Sequence, residues 1–297
     1  MREKMKLLVV LTVVVIQLLS CQSQDFTGSY DATIPTDKAK AILTPTPSEN
    51  PRINGADIFG AKPGNQCFFK IAATGKQPLE FMAEGLPQGL LLHKEKGVVS
   101  GKMPSKKGEY KVTVTVKNSI GKASEELLIV VGDDLALTPI MGWSSWYAFN
   151  YTVSDSDIRR MADAMERYNL TNYGWAYANI DNGWQSHTRN PETKAIQSNE
   201  KFPDVKALAA YLHDKGIKFG MYSSLWISCF RGYMGATAPN EELDYTALTV
   251  PMNDRETPHN LFGHNRHRFR FSGASQVGPV WLADIDSKQY AEWGVDM

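Results

Sequence analysis

The sequence predicts two regions of different class: an all-β sandwich over residues 51–132, then an α/β region with parallel strands over 133–297. Three observations carry this. Lys111-Val112-Thr113-Val114-Thr115-Val116-Lys117 alternates polar and β-branched residues with period two, as a half-buried strand does. Helical spacing first enters after Asp133, with Ile158, Met161, Ala162 and Met165 at i, i+3, i+4 and i+7. From there short apolar runs and helical patterns alternate, the order that gives parallel strands with helices outside them.

In the first region, Glu126 to Val131 is a second strand behind a turn at Asn118–Gly121, and Gln66 to Ala72 a third. Gly85-Leu86-Pro87 and the glycines Gly97 and Gly101 punctuate the segment. So many short strands in about 80 residues imply a sandwich. Cys67, inside Cys67-Phe68-Phe69, reads as a buried structural thiol.

In the second region, Leu137 to Trp143 is the first strand. Ser154 with Asp157 three residues on is a capping box that opens a helix. Ala176 to Ile180 is strand two, ending at Asp181. Val205, Leu208, Ala209 and Leu212 mark the next helix, which Gly216 stops. Ile217 to Tyr222 is strand three. Ser223 to about Ile285 is irregular, Asp286 to Trp293 is a short helix, and Gly294-Val295-Asp296 begins strand four.

The N-terminus reads as an export signal. Arg2, Lys4 and Lys6 precede an apolar run, Leu7 to Leu19, that is too short to span a hydrocarbon core of about 30 Å. The run ends in Leu18-Leu19-Ser20-Cys21, which resembles a bacterial lipobox. That resemblance implies a lipoprotein signal over 1–20 and a lipid anchor on Cys21, hence a membrane-anchored protein at the periplasm or cell surface of a Gram-negative bacterium. Residues 21–50 are a polar, flexible tether.

Composition excludes other classes. The chain has 297 residues, 42% hydrophobic and 22% charged, with 32 basic and 32 acidic side chains. Zero net charge argues against a bulk attraction to nucleic acid, and the apolar fraction against wholesale disorder. Three cysteines, Cys21, Cys67 and Cys229, make no disulfide scaffold.

In parallel α/β folds chemistry sits at the C-terminal ends of the strands. Here those ends hold Trp143 to Trp146, Asp181 to Trp184, and Tyr222: aromatic and acidic residues. Sugar C–H faces stack on rings and hydroxyls bond to carboxylates, so the set points to carbohydrate. Trp143 and Trp184 suit the core equally well.

Four blocks then carry a family resemblance. Leu137-Thr138-Pro139-Ile140-Met141-Gly142-Trp143-Ser144-Ser145-Trp146 resembles the LTPPMGWNSW opening of the family 27 α-galactosidases. Asn179-Ile180-Asp181-Asn182-Gly183-Trp184-Gln185 is similar to their NIDDGWQ. Lys201-Phe202-Pro203-Asp204 and Lys215 to Ser223 are similar to their KFP and KGLKFGIYS. Ala291-Glu292-Trp293-Gly294-Val295-Asp296 resembles the WGVD that leads into their nucleophile strand. The segment from Gly85 to Ala123 resembles the immunoglobulin-like module often fused to bacterial glycosidases.

These resemblances imply an immunoglobulin-like sandwich followed by an incomplete (β/α)8, TIM-type barrel, and a retaining α-galactosidase acting on terminal α-galactose, with no cofactor and no metal. Trp146 is implied as an aromatic wall of the galactose pocket, Asp181 as the carboxylate on sugar hydroxyls, and Tyr222 as the pocket tyrosine on strand three. Cys229 is implied as half of a disulfide beside the pocket, its partner on the strand-four loop. Asn182 departs from the family's second Asp. An amide both donates and accepts where a carboxylate only accepts, which weakens strict galactose preference and admits a related sugar such as a β-L-arabinopyranoside.

A retaining mechanism needs two carboxyl groups about 5–5.5 Å apart. By the resemblance both lie beyond Met297, so this chain alone is expected to be inactive. Asp284 and Asp286 precede the last helix and are rejected as substitutes. His259, His264 and His267 stand among Arg266, Arg268 and Arg270 without a metal-ligand spacing; the default is a solvated basic loop over the strand ends. A second class remains, a surface lipoprotein that binds glycans without cleaving them.

Overall fold

The computed structural model describes residues 47–229, 233–243 and 277–297. The signal segment, Cys21, nearly all of the tether, and the six His and Arg residues of 259–270 lie outside these.

The first region holds nine strands: β1 (Arg52–Asn54), β2 (Ile58–Ala61), β3 (Gln66–Lys70), β4 (Ala72–Thr74), β5 (Glu80–Glu84), β6 (Leu90–His93), β7 (Val98–Lys102), β8 (Gly108–Lys117) and β9 (Lys122–Val131). One sheet runs β2-β9-β8-β5, the other β3-β7-β6, and β1 pairs with β4. The long hairpin β8–β9 obeys the predicted alternation: Val112, Val114 and Val116 are buried while Lys111, Thr113 and Glu109 face outward. Burying each of those valines is worth about 1.5–3 kcal/mol. The hairpin turn forms as Asn118 predicts, its Oδ1 accepting from Ile120 N at 2.9 Å and Gly121 N at 3.1 Å. Phe81, Val99, Ile129 and Cys67 fill the space between the sheets. Burial pushes the Cys67 thiol up to about 11, against a smaller pull from Lys218, so it is an inert core group.

The second region holds a three-stranded parallel sheet in the order β10 (Gly142–Ser144), β11 (Tyr177–Ile180), β12 (Lys218–Met221). Its first strand differs from the predicted Leu137–Trp143: the paired register runs over Gly142–Ser144, preceded by one bond from Ala176 N to Met141 O (3.0 Å). Gly142 is needed there: a Cβ would stand 2.3 Å from the Tyr177 carbonyl oxygen. A single turn, α1 (Trp146–Phe149), follows, then α2 (Asp155–Arg167), α3 (Val205–Asp214) and α4 (Ala283–Trp293). The capping box closes as predicted, Ser154 N donating to Asp157 Oδ2 at 3.0 Å. Ile158, Ala162 and Met165 of α2 and Val205, Leu208, Ala209 and Leu212 of α3 are buried against Ala178, Ile180 and Phe219. Helix α4 begins three residues before the predicted Asp286 and ends at Gly294, which takes the left-handed conformation (φ 83°).

Beyond α4, Asp296 N donates to Phe219 O (2.8 Å), and Met221 N donates to Met297 O (2.9 Å). The last residues thus run beside β12, where strand four is expected.

The sandwich meets the N-terminal ends of the parallel strands. Phe68 stacks on His213 at the end of α3 (centroids 4.5 Å apart), Lys218 Nζ sits 4.7 Å over the Phe59 ring, and Asn54 Nδ2 donates to Asn172 O at 2.9 Å. His213 in turn contacts Asp296 Oδ2 at 2.7 Å. This support, under the strands, leaves their C-terminal tips free of it.

Candidate functional site

The three tips lie side by side because the parallel ladder continues past the strands. Ser145 N donates to Asn179 O (3.0 Å), and Tyr222 N donates to Ile180 O (2.8 Å). Ser145, fully buried, then reaches across: its Oγ accepts from Asp181 N at 2.9 Å. The Asp181 carboxylate accepts from Asn182 N through Oδ1 at 2.7 Å, which sets its orientation and leaves Oδ2 with no hydrogen bond recorded among the described residues. That is the arrangement of an acceptor held ready for a hydroxyl.

Tyr222 is fixed through its main chain. Trp184 Nε1 donates to the Tyr222 carbonyl at 2.9 Å, and Gln185 Nε2 adds a longer bond of 3.4 Å. The residue as a whole is 36% exposed. Burial, with the nearby Cys229 and Asp181, pushes its phenol up to about 12, so it stays a neutral donor. Trp146 opens α1 directly after Ser145 and is half-buried. Sequence reasoning thus places Trp146, Asp181 and Tyr222 on three adjacent tips, and the structure brings those tips together.

Asn182 and Cys229 sit differently. Asn182 is fully buried, so its side chain lies beneath the surface of the tips rather than on it. Cys229 is a free, buried thiol, and no disulfide forms among the described residues; the strand-four loop implied to carry its partner lies outside them. Its Sγ lies 3.4 Å from Ser224 Oγ and 3.3 Å from Met234 O, and burial holds the thiol up at about 11. Of the two ambiguous tryptophans, Trp184 is core: it has no exposure and meets Tyr290 and Trp293 edge-on at 5.9 and 6.0 Å. Trp143 packs partly against the same cluster.

Two groups escaped sequence reasoning. Ser145 carried no signal apart from its neighbours. The other is a buried ion pair. Arg189 donates to Asp286 through Nη1 (2.5 Å) and Nη2 (2.7 Å), and also to Lys194 O and Gly235 O, while Ile196 N donates to Asp286 Oδ1. This network ties the loop after β11, the segment around Gly235 and the start of α4 together. It also disposes of Asp286 as a nucleophile, since both its oxygens are occupied. A hollow of about 530 Å³ lies elsewhere, on the outer flank between α3 and α4, lined by Asp204, Lys206, Glu292 and Trp293 among others. None of the strand-tip residues Trp146, Asp181 and Tyr222 lines it, and its charged groups are exposed. Among the described residues no cluster of His, Cys, Asp and Glu is arranged to hold a metal.

With this geometry in place, comparison with known proteins shows what the chain is similar to. Residues 138–251 match the profile described as "Alpha galactosidase A", and residues 50–132 match the profile described as "Putative Ig domain". The α/β region is thus similar to alpha-galactosidases over the matched residues. An alpha-galactosidase of Oryza sativa is 36% identical over 111 residues, which are 37% of this chain and 27% of that protein. Alpha-galactosidase A of Cellvibrio japonicus is 45% identical over 93 residues, 31% of this chain and 22% of its own length. Among solved structures, one titled "putative alpha-galactosidase/melibiase" from Bacteroides fragilis superposes with a TM-score of 0.65 at 33% identity, covering 84% of this chain and 44% of that one. A second from the same organism gives 0.66 at 30%, covering 86% and 45%. The chain therefore spans about a quarter of the curated relatives and under half of these structures. The expected architecture, an immunoglobulin-like sandwich followed by part of a TIM-type barrel, is the one observed.

Proposed function

We propose that residues 133–297 form the sugar-holding part of a cleft for terminal α-D-galactose, in an α-galactosidase of retaining type. The observation that carries this is the juxtaposition of the Trp146, Asp181 and Tyr222 positions on three hydrogen-bonded strand tips, with one Asp181 oxygen accepting no hydrogen bond from the described residues. The ring of Trp146 supplies a stacking face, Asp181 accepts from sugar hydroxyls, and the neutral Tyr222 phenol donates. Asn182 acts from below, by packing, so its departure from the family's Asp bears on sugar choice through the shape of the tips.

Asp181 is the one carboxylate on the tips of β10–β12. A nucleophile and an acid/base about 5–5.5 Å apart must come from sequence other than these tips. On this reading the described tips supply binding and not the catalytic pair, and the chain is expected to bind without cleaving. Incubating the purified chain with an aryl α-galactoside should release no phenol. Ligand-observed NMR should nevertheless show galactose binding, abolished by Asp181→Ala. Turnover by the chain, or galactose binding that survives Asp181→Ala, contradicts the reading. Attachment to a membrane through Cys21 completes the proposal; metabolic labelling with a fatty-acid analogue, lost in Cys21→Ser, tests it.

A further inference from the structure

The segment after Tyr222 does more than connect strand three to α4. Three stretches of it, 224–229, 233–238 and 280–282, make a small antiparallel sheet. Ser228 bridges Met234, and Gly235 N donates to Ile227 O (3.0 Å). On the other side β13 (Thr237–Ala238) pairs with β14 (Val280–Trp281), placing Thr237 opposite Trp281. Thr237 Oγ1 also donates to Leu225 O at 2.9 Å, so Leu225 and Trp281 flank the same threonine.

The sheet has its own small core: Ile227, Met234, Ala238 and Leu282 are all at most 4% exposed. It is fastened to the loop after β11 twice, by Arg189 Nη2 donating to Gly235 O (2.7 Å) and by the stacked rings of His187 and Tyr233, 5.4 Å apart and 14° from parallel. Against this rigid backing, Leu225, Trp226 and Trp281 stand 53%, 50% and 51% exposed. Large aromatics held half in water on a rigid support are the informative exception to burial. None of the residues in the three stretches is charged.

We propose that this sheet is a second carbohydrate-binding surface, an aromatic platform that holds the neutral sugar units attached to the galactose at the strand tips. The proposal rests on the cleft reading above and names its substrate class: an oligosaccharide or branched polysaccharide. Continuity argues for it, since Ser224 lies two residues past Tyr222 and contacts Cys229 under the same tip. Size argues against a protein partner. Three half-exposed side chains fall far short of the roughly 800 Å² per partner that a stable protein interface buries. Neutrality argues against an anionic glycan. Two half-exposed indoles, Trp281 on β14 and Trp226 in the bend before the Ser228 bridge, give sugar faces stacking surfaces with little ordering cost.

The test is ligand-observed NMR on this chain with two probes, galactose and the α-galactose-terminated trisaccharide raffinose. Raffinose should bind about tenfold more tightly, a difference of about 1.4 kcal/mol. Trp226→Ala and Trp281→Ala should each remove most of that gain while leaving galactose affinity unchanged, and Trp226→Phe and Trp281→Phe should keep most of it. Equal affinity for the two probes, with galactose bound, overturns the platform and spares the cleft. Loss of galactose and raffinose affinity to the same extent in the alanine variants also overturns it. Failure of both probes to bind the unaltered chain overturns the cleft and the platform with it.

Discussion

The two ends of the same three parallel strands are built for different purposes. At the N-terminal end, polar and aromatic groups are consumed by the sandwich: Phe68 on His213, Phe59 under Lys218, Asn54 on the Asn172 carbonyl, Lys96 on Asp214. At the C-terminal end, groups of the same kinds are held in place and left available. Ser145 secures the main chain of Asp181 while one carboxylate oxygen accepts no hydrogen bond from the described residues, and Trp184 secures the main chain of Tyr222 while that residue stays partly exposed. The difference teaches that side-chain type alone does not mark a site. What marks it is a backbone pinned from below by buried groups with the side chain left over.

The comparison predicts where substitutions hurt. The largest effect should come from Asp286→Ala, which removes the bidentate carboxylate partner of the buried Arg189: about 3–5 kcal/mol lost in urea unfolding. A loss under 1 kcal/mol would mean that the tips do not depend on that network. Phe68→Ala removes the ring that stacks on His213 and should cost about 1 kcal/mol, read from the same unfolding curves.

A smaller effect should be visible in pH. Burial, with Lys96 nearby, pulls Lys70 down to about 8 from an ordinary 10.5. Between those values the unfolded chain binds the proton and the folded chain has released it, so this group makes stability rise as pH increases through that window. Lys70→Met should flatten that rise, measured as Tm against pH from 7 to 10; an unchanged slope would show that the ammonium is fully solvated. The smallest effect belongs to Tyr147→Ala at a strand tip, where the ring is wholly exposed: within about 0.5 kcal/mol of the unaltered chain.

Much of the fold was legible because local chemistry and burial agree. The valines of β8 alternate, Asn118 makes its turn, Ser154 and Asp157 make their box, and the apolar faces of α2 and α3 are the ones buried. Strand limits were less legible: residues 137–141 are apolar enough for a strand, but the paired register with β11 begins only at Gly142 and Tyr177. In the site, Trp146, Asp181 and Tyr222 could be picked out because strand ends are predictable from strand order. Ser145, Arg189 and Asp286 could not. Their partners are 36 and 97 residues away in sequence, and no periodic pattern encodes such pairs. The burial of Asn182 was equally invisible, since a motif fixes a residue's place in the chain but not the side to which its side chain turns.

The central claim, that galactose itself sits on these three tips, is tested most directly by backbone amide exchange with and without saturating galactose. Slowed exchange confined to 145–146, 181–185 and 222–229 is the predicted result. Protection in the sandwich or at the hollow beside Asp204 and Glu292, or no protection at all, would contradict it.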